Sequence, residues 1–173
     1  MDRTYFILLI LYIISLAIRT TYELFKKAGK ADPASKPLFI FMLIVMCTMW
    51  MSWFAMCPLD PLKLTLPSWL AFAGLGMFIL GLILALGALF QLRGVENINH
   101  LVTTGLFAFV RHPMYLGFIL WIIGWVVYHG ATASFLAGMI GIANILYWQH
   151  LEDNHLVATF GEEYLHYRQS TWF

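Results

Sequence analysis

The chain has 173 residues, of which 61% are hydrophobic and 11% charged, with a formal net charge of +1. Soluble globular domains carry roughly a quarter charged residues, so the composition argues against a water-soluble fold. The absence of clustered Lys and Arg argues equally against a nucleic-acid partner. The two cysteines, Cys47 and Cys57, lie inside or at the end of one apolar run. They are too sparse for a disulfide framework or a zinc site, and no metal is expected.

The first apolar run, residues 5–18, ends at Arg19. Asp2-Arg3 is a weak positive region and no small-residue cleavage site follows, so the run is read as a retained span rather than a secretory signal. A polar segment over 20–36 carries Lys26, Lys27, Lys30 and Lys36 and closes with Pro33 and Pro37. The second span covers 38–57 without a charge, and Pro58, Asp60, Pro61, Lys63 and Pro67 make a short connection. The third span covers 69–92, where Gly74, Gly81 and Gly87 permit close helix approach. Residues 91–113 turn polar again, holding Arg93, Glu96, Asn97, Asn99, His100, Thr103, Thr104, Arg111 and His112. Long loops of this kind often carry function.

Two further apolar segments, 114–128 and 131–148, are joined by His129-Gly130 and predict a tight helical hairpin. The first arm is about 15 residues, roughly 22 Å at 1.5 Å per residue and short of the ~30 Å hydrocarbon core. It spans alone only if 106–110 extends it. Residues 150–173 are polar and amphipathic. The expected fold is therefore an all-α integral membrane protein of about five transmembrane helices. The Lys-rich first loop, the 91–113 loop and the tail with Arg168 share one side, which the positive-inside rule makes cytosolic and which puts the N-terminus outside.

Two polar constellations carry chemistry. The first is His100-Leu101-Val102-Thr103-Thr104-Gly105 followed by Phe109-Val110-Arg111-His112-Pro113-Met114-Tyr115. Pro113 suits the first turn of a helix and holds His112 extended before it. The unpaired N–H groups of a helix start favour an anion, with Arg111 and His112 alongside. Taken alone, the motif reads more readily as an interfacial anchor, with Tyr115 an aromatic-belt residue. The second constellation is Glu152-Asp153-Asn154-His155-Leu156, then Phe160-Gly161-Glu162-Glu163-Tyr164-Leu165-His166-Tyr167-Arg168. Gly161 suits a helix end and Glu162-Glu163 the next helix start. By itself this tail is equally a helix lying on the bilayer.

In this order, flanking a hairpin, the two constellations resemble the isoprenylcysteine carboxyl methyltransferases and the related membrane phospholipid methyltransferases. The resemblance covers residues 100–168; the first three spans match only in being hydrophobic. It implies a single membrane domain over 1–173, with three spans in 1–92 and a methyltransferase-like core in 93–173 built of a cytosolic loop, the hairpin and the tail. It also implies that the cytosolic segments fold over S-adenosylmethionine, with S-adenosylhomocysteine as product, while a lipophilic or lipid-linked acceptor arrives from the bilayer. His112 and the adjoining helix start are expected at the cofactor's carboxylate and Glu152 at its amino or a hydroxyl group. Leu101, Val102 and Tyr164 or Tyr167 are expected at the adenosine. His100, Gly105, Arg111, Pro113, Tyr115 and Asp153 complete the expected cofactor-binding set.

The sequence departs from the family pattern in one telling place. Members carry an Arg a few residues before the acid pair, where this chain has Tyr147, Trp148, Gln149 and His150. Gln and neutral His cannot supply a bidentate cationic fork, so a carboxylate acceptor is put in doubt, and an amine, a thiol or another headgroup stays open. An ammonium or thiol must first lose a proton, and His150 or His155 is the candidate base. Two readings compete: a sterol-reductase-like enzyme using NADPH, and a non-catalytic membrane protein or transporter. The first lacks a Gly-x-Gly-x-x-Gly segment, and the second lacks paired repeats.

Overall fold

The computed structural model describes residues 3–32, 34–92 and 100–173. Pro33 and the polar residues Arg93, Glu96, Asn97 and Asn99 lie outside the described residues, as does Asp2. Among the described residues six α-helices follow one another: α1 Arg3–Lys27, α2 Lys36–Met56, α3 Ser68–Leu92, α4 Pro113–His129, α5 Thr132–Phe160 and α6 Glu162–Ser170. Short 3-10 turns occupy Cys57–Leu59 and Gly105–Ala108. Among the described residues there is no strand, only two isolated bridges. Among the described residues three helical stretches, Arg3–Lys27, Lys36–Leu59 and Ser68–Leu92, are long and apolar enough to cross a membrane; Pro113–His129 is a shorter apolar helix.

The second and third spans lie within a residue or two of their expected bounds. The first does not stop at Arg19. The helix continues through Lys27 because Glu23 accepts hydrogen bonds from Arg19 one turn before it and from Lys26, at 3.1 Å, one turn after. Pairs at i, i+4 and i, i+3 support helix. Residues 106–110 do not extend α4, since most of them form the separate 3-10 turn. At 17 residues α4 is roughly 26 Å long. The next helix is longer than its apolar segment and carries Glu152 and Asp153 well beyond Trp148.

Glycines bring α3 and α4 into backbone contact. A Cβ placed on Gly81 would sit 2.6 Å from the Gly117 carbonyl oxygen, and one on Gly117 would sit 2.6 Å from that of Gly81. Gly74 and Gly124 repeat this contact two turns away. Gly87 instead faces the Leu106 side chain. Around this seam Trp50, Phe54, Phe78, Phe118, Trp121 and Trp125 interlock, Trp50 meeting Trp121 edge-on at 4.5 Å. Trp53 stacks near Tyr12 between α1 and α2 at 5.1 Å.

At one end of the bundle, the connection after α2 is sewn to the α4–α5 turn. The Leu64 N–H donates to the Gly130 carbonyl at 2.8 Å, and the Thr132 N–H donates to that of Leu62 at 3.0 Å. Gly130 takes φ +60°, the left-handed conformation that ends α4. The first turn of α5 has no cap of its own. Buried Asp60 supplies one, accepting from the N–H of Ser134 at 2.6 Å and of Leu62 at 2.7 Å.

Candidate active site

At the other end of the bundle, a cavity of about 540 Å³ opens between the end of α1, the start of α4, the end of α5 and α6. Pro113 occupies the first position of α4 and His112 is its N-cap residue, with no side chain capping the N–H groups behind it. Gly161, at φ +55°, breaks the helix and lets α6 fold back, so that Tyr164 and Tyr167 reach the same cavity.

The centre of the site is a buried hydrogen-bonded triad. Nε2 of His112 lies 2.7 Å from Oδ1 of Asp153, and the Tyr164 hydroxyl donates to the same oxygen. All three side chains are buried. Burial alone would push the Asp153 carboxyl up, but the bonds from His112 and Tyr164, with attraction to His112 and Arg111, outweigh it and hold it down at about 2. An ionised carboxylate only accepts, so Nε2 carries a hydrogen and the ring orientation is fixed. That leaves Nδ1 facing Glu152, whose Oε2 is 3.8 Å away. Tyr164 is raised by burial and by its bond to Asp153. Tyr167 is pushed up by burial to about 12 although Arg111 pulls the other way, and its hydroxyl donates to the Phe107 carbonyl at 2.6 Å.

The expected site residues separate into three groups. Leu101, Val102, Arg111, His112, Pro113, Tyr115, Glu152, Tyr164 and Tyr167 all line the cavity. Asp153 does not line the cavity but is bonded to His112, which does. His100 and Gly105 are exposed and do not line the cavity. Gly105 instead serves the turn at φ +62°, with the Gln91 side chain where a Cβ would be; that amide accepts from the Leu106 N–H at 3.1 Å and donates to the Thr104 carbonyl.

Arg111 has structural partners as well. Its Nη1 donates to the carbonyls of Arg168 and Thr171, both at 3.3 Å, at the end of α6. Backbone bonds beside it tie 109–112 to 172–173. Its Nε is buried without a hydrogen-bond partner, 4.0 Å from Asp153. Both candidate bases are exposed; His155 lines the cavity, whereas His150 does not and accepts a bond from Asn154 at 3.0 Å.

Four charged cavity residues were not expected from the sequence: Arg19, Glu23, Lys26 and Lys27, all from the last turns of α1. The signal was present as the spacing of Arg19, Glu23 and Lys26, which is that of paired charges on one helix face.

Residues 69–163 match the phospholipid methyltransferase family. The match starts within α3, earlier than the resemblance read from His100 onward, and ends just before Tyr164. A protein-S-isoprenylcysteine O-methyltransferase of Schizosaccharomyces pombe is 35% identical over 81 residues, covering 43% of this chain and 32% of that protein. One from Homo sapiens is 33% identical over 121 residues, covering 59% and 39%. Protein-S-isoprenylcysteine O-methyltransferase B of Arabidopsis thaliana is 31% identical over 117 residues, covering 58% and 56%. The chain thus spans between about a third and somewhat over half the length of these curated relatives. No solved structure matches.

Proposed function

Because the chain belongs to the phospholipid methyltransferase family, we propose that it is a membrane methyltransferase that uses S-adenosylmethionine and acts on a lipophilic acceptor. The observation that carries this reading is the cavity in which His112, fixed by Asp153, and Glu152 face each other at the end of the helical bundle.

The residues present fit the cofactor. A volume of about 540 Å³ falls in the ~300–1,000 Å³ range of small-molecule sites. The donor set has both signs that an amino-acid head requires. The uncapped start of α4 and the unpartnered Arg111 Nε suit a carboxylate, while Glu152 and the accepting Nδ1 of His112 suit an ammonium. Leu101, Val102, Tyr164 and Tyr167 supply an apolar and aromatic wall for adenosine.

When bound, the cofactor supplies an electrophilic methyl group on a sulfonium. The chain's own part is to orient and desolvate. His112 is held in one orientation by Asp153, Tyr115 points its hydroxyl at Glu152, and α6 with the 3-10 turn contributes the wall of Tyr164, Tyr167 and Phe107. For an acceptor that must lose a proton, His155 is the base at the wall; a carboxylate needs none. The proposal includes about five spans, with α4 and α5 completing the three long apolar helices. It places the cofactor site in the cytosol, with the N-terminus outside and the acceptor reaching the cavity from the bilayer.

Calorimetry of the detergent-purified protein with S-adenosylmethionine, S-adenosylhomocysteine and NADPH tests this. Binding of the first two is expected. Binding of NADPH alone would replace the reading with a reductase, and binding of none would favour a non-catalytic protein. Transfer of a labelled methyl group to prenylcysteine, phosphatidylethanolamine and small thiols then identifies the acceptor.

A further inference from the structure

The α1 wall of the cavity is not explained by the cofactor. Arg19 lies within a membrane-length helix, eight residues before its end and so about 12 Å along the axis. An interfacial anchor extends outward to the headgroups. Arg19 instead turns inward, with its side chain only 14% exposed. Its guanidinium lies 5.2 Å from the Trp148 ring and 5.4 Å from that of Tyr22. The indole N–H of Trp148 donates to Thr20, which itself donates to Asn144, so this part of α1 is locked to α5.

Glu23 accepts from both Arg19 and Lys26. One carboxylate thus serves two cations, and with Lys27 the α1 wall carries two net positive charges into the cavity. Ionisable groups inside membrane spans are expensive to keep and mark ligand paths. A guanidinium also has five N–H donors, more than one carboxylate accepts. Arg19, Glu23, His112, Tyr115 and Glu152 line the same cavity, so the α1 charges and the His112–Glu152 end belong to one chamber.

We infer that Arg19, poised by Glu23 and Trp148, is the anion-recognition residue for the acceptor, which is therefore a lipophile bearing a negatively charged group, a carboxylate or a phosphate. The sequence lacks a cation at Tyr147, Trp148, Gln149 and His150, but α1 delivers one onto the face of Trp148. For its setting in catalysis the inference rests on the methyltransferase reading; the anion site itself is tested separately.

The experiment measures binding to the full chain in detergent for two matched pairs: N-acetyl-S-farnesylcysteine against its carboxamide, and phosphatidic acid against diacylglycerol. The expected result is a preference for the anionic member of one pair, which names the source of the anion. Arg19→Gln should weaken that member about tenfold while its neutral twin changes less than about twofold. Glu23→Gln should tighten it. The double variant Arg19→Gln/Glu23→Gln restores neutrality to the buried pair. If Arg19 is only a counterion for Glu23, the double variant returns to wild-type preference, and the inference is overturned; if Arg19 reads the acceptor, it stays impaired. Wild-type protein with no preference in either pair also overturns it. S-adenosylhomocysteine binding, measured on the same samples, reports a folded site. Its absence from wild-type protein with the anion preference intact would reject the methyltransferase reading and leave the anion site standing.

Discussion

Replacing Asp153 with Asn tests the centre of the site. The wild-type carboxylate accepts from His112 and Tyr164 at one oxygen; an amide keeps the shape but loses the charge and presents a donor of its own. The carboxyl is held down from the ordinary 3.8 to about 2, and at about 1.4 kcal/mol for each tenfold in the protonation constant this amounts to about 2 kcal/mol. Because the folded value lies below the ordinary one, the stabilisation is complete above about pH 4 and disappears as pH falls through about 2. At roughly 2–4 °C per kcal/mol for a chain of this size, Asp153→Asn should melt about 4–8 °C lower at pH 7. The difference between wild type and variant should then shrink to nothing between pH 4 and pH 2. The assay is thermal unfolding followed by tryptophan fluorescence at a series of pH values, with S-adenosylhomocysteine affinity as a second readout. A gap that stays constant from pH 7 to pH 2, or no gap at pH 7, would show that the charge of Asp153 does not stabilise the fold.

Tyr164→Phe removes one donor to Asp153 and should cost about 1 kcal/mol. It should also move the loss of stability in acid to higher pH, which the same melting series would register. Gly117→Leu drives a side chain into the α3 backbone and should cost more than about 3 kcal/mol, seen as loss of monodisperse protein on size exclusion. Gly76→Leu, at a position with open space around it, is the control, and equal behaviour of the two would contradict the seam. Asp60→Ala removes the cap of α5 and should cost about 0.5–2 kcal/mol. Hydrogen exchange should speed up at Ser134 and Leu62, and unchanged exchange there would show that the cap does not hold.

Spans two and three were legible because no charged residue interrupts them, and the start of α4 because Pro113 permits little else. Arg19 misled because a charge after fourteen apolar-rich residues looks like a stop, while its meaning depends on Glu23 and on a cavity formed by distant helices. The roles within Glu152-Asp153 could not be separated in the sequence. Neighbours on a helix differ by about 100° in direction, and only the return of α6 at Gly161 decides which acid meets Tyr164. Arg111 read as a ligand for a bound anion, yet its side chain also holds the Arg168 and Thr171 carbonyls, a pairing some sixty residues apart that no local pattern encodes. His100 and Gly105 followed the motif into the expected set, but the geometry gives Gly105 to the Gln91-bound turn.

The stitching of the α2–α3 connection to the α4–α5 turn has a mechanical corollary. Asp60, Leu62 and Leu64 fasten α5 and the end of α4 at the pole opposite the cavity, so the bundle is built like a clothes-peg, clamped at one end and slotted at the other. Thr20, Asn144 and Trp148 tie α1 to α5 at the slotted end, so a small angular change of α5 at the clamp would carry α1 with it, and the displacement at Arg19 would be multiplied by the length of the helices.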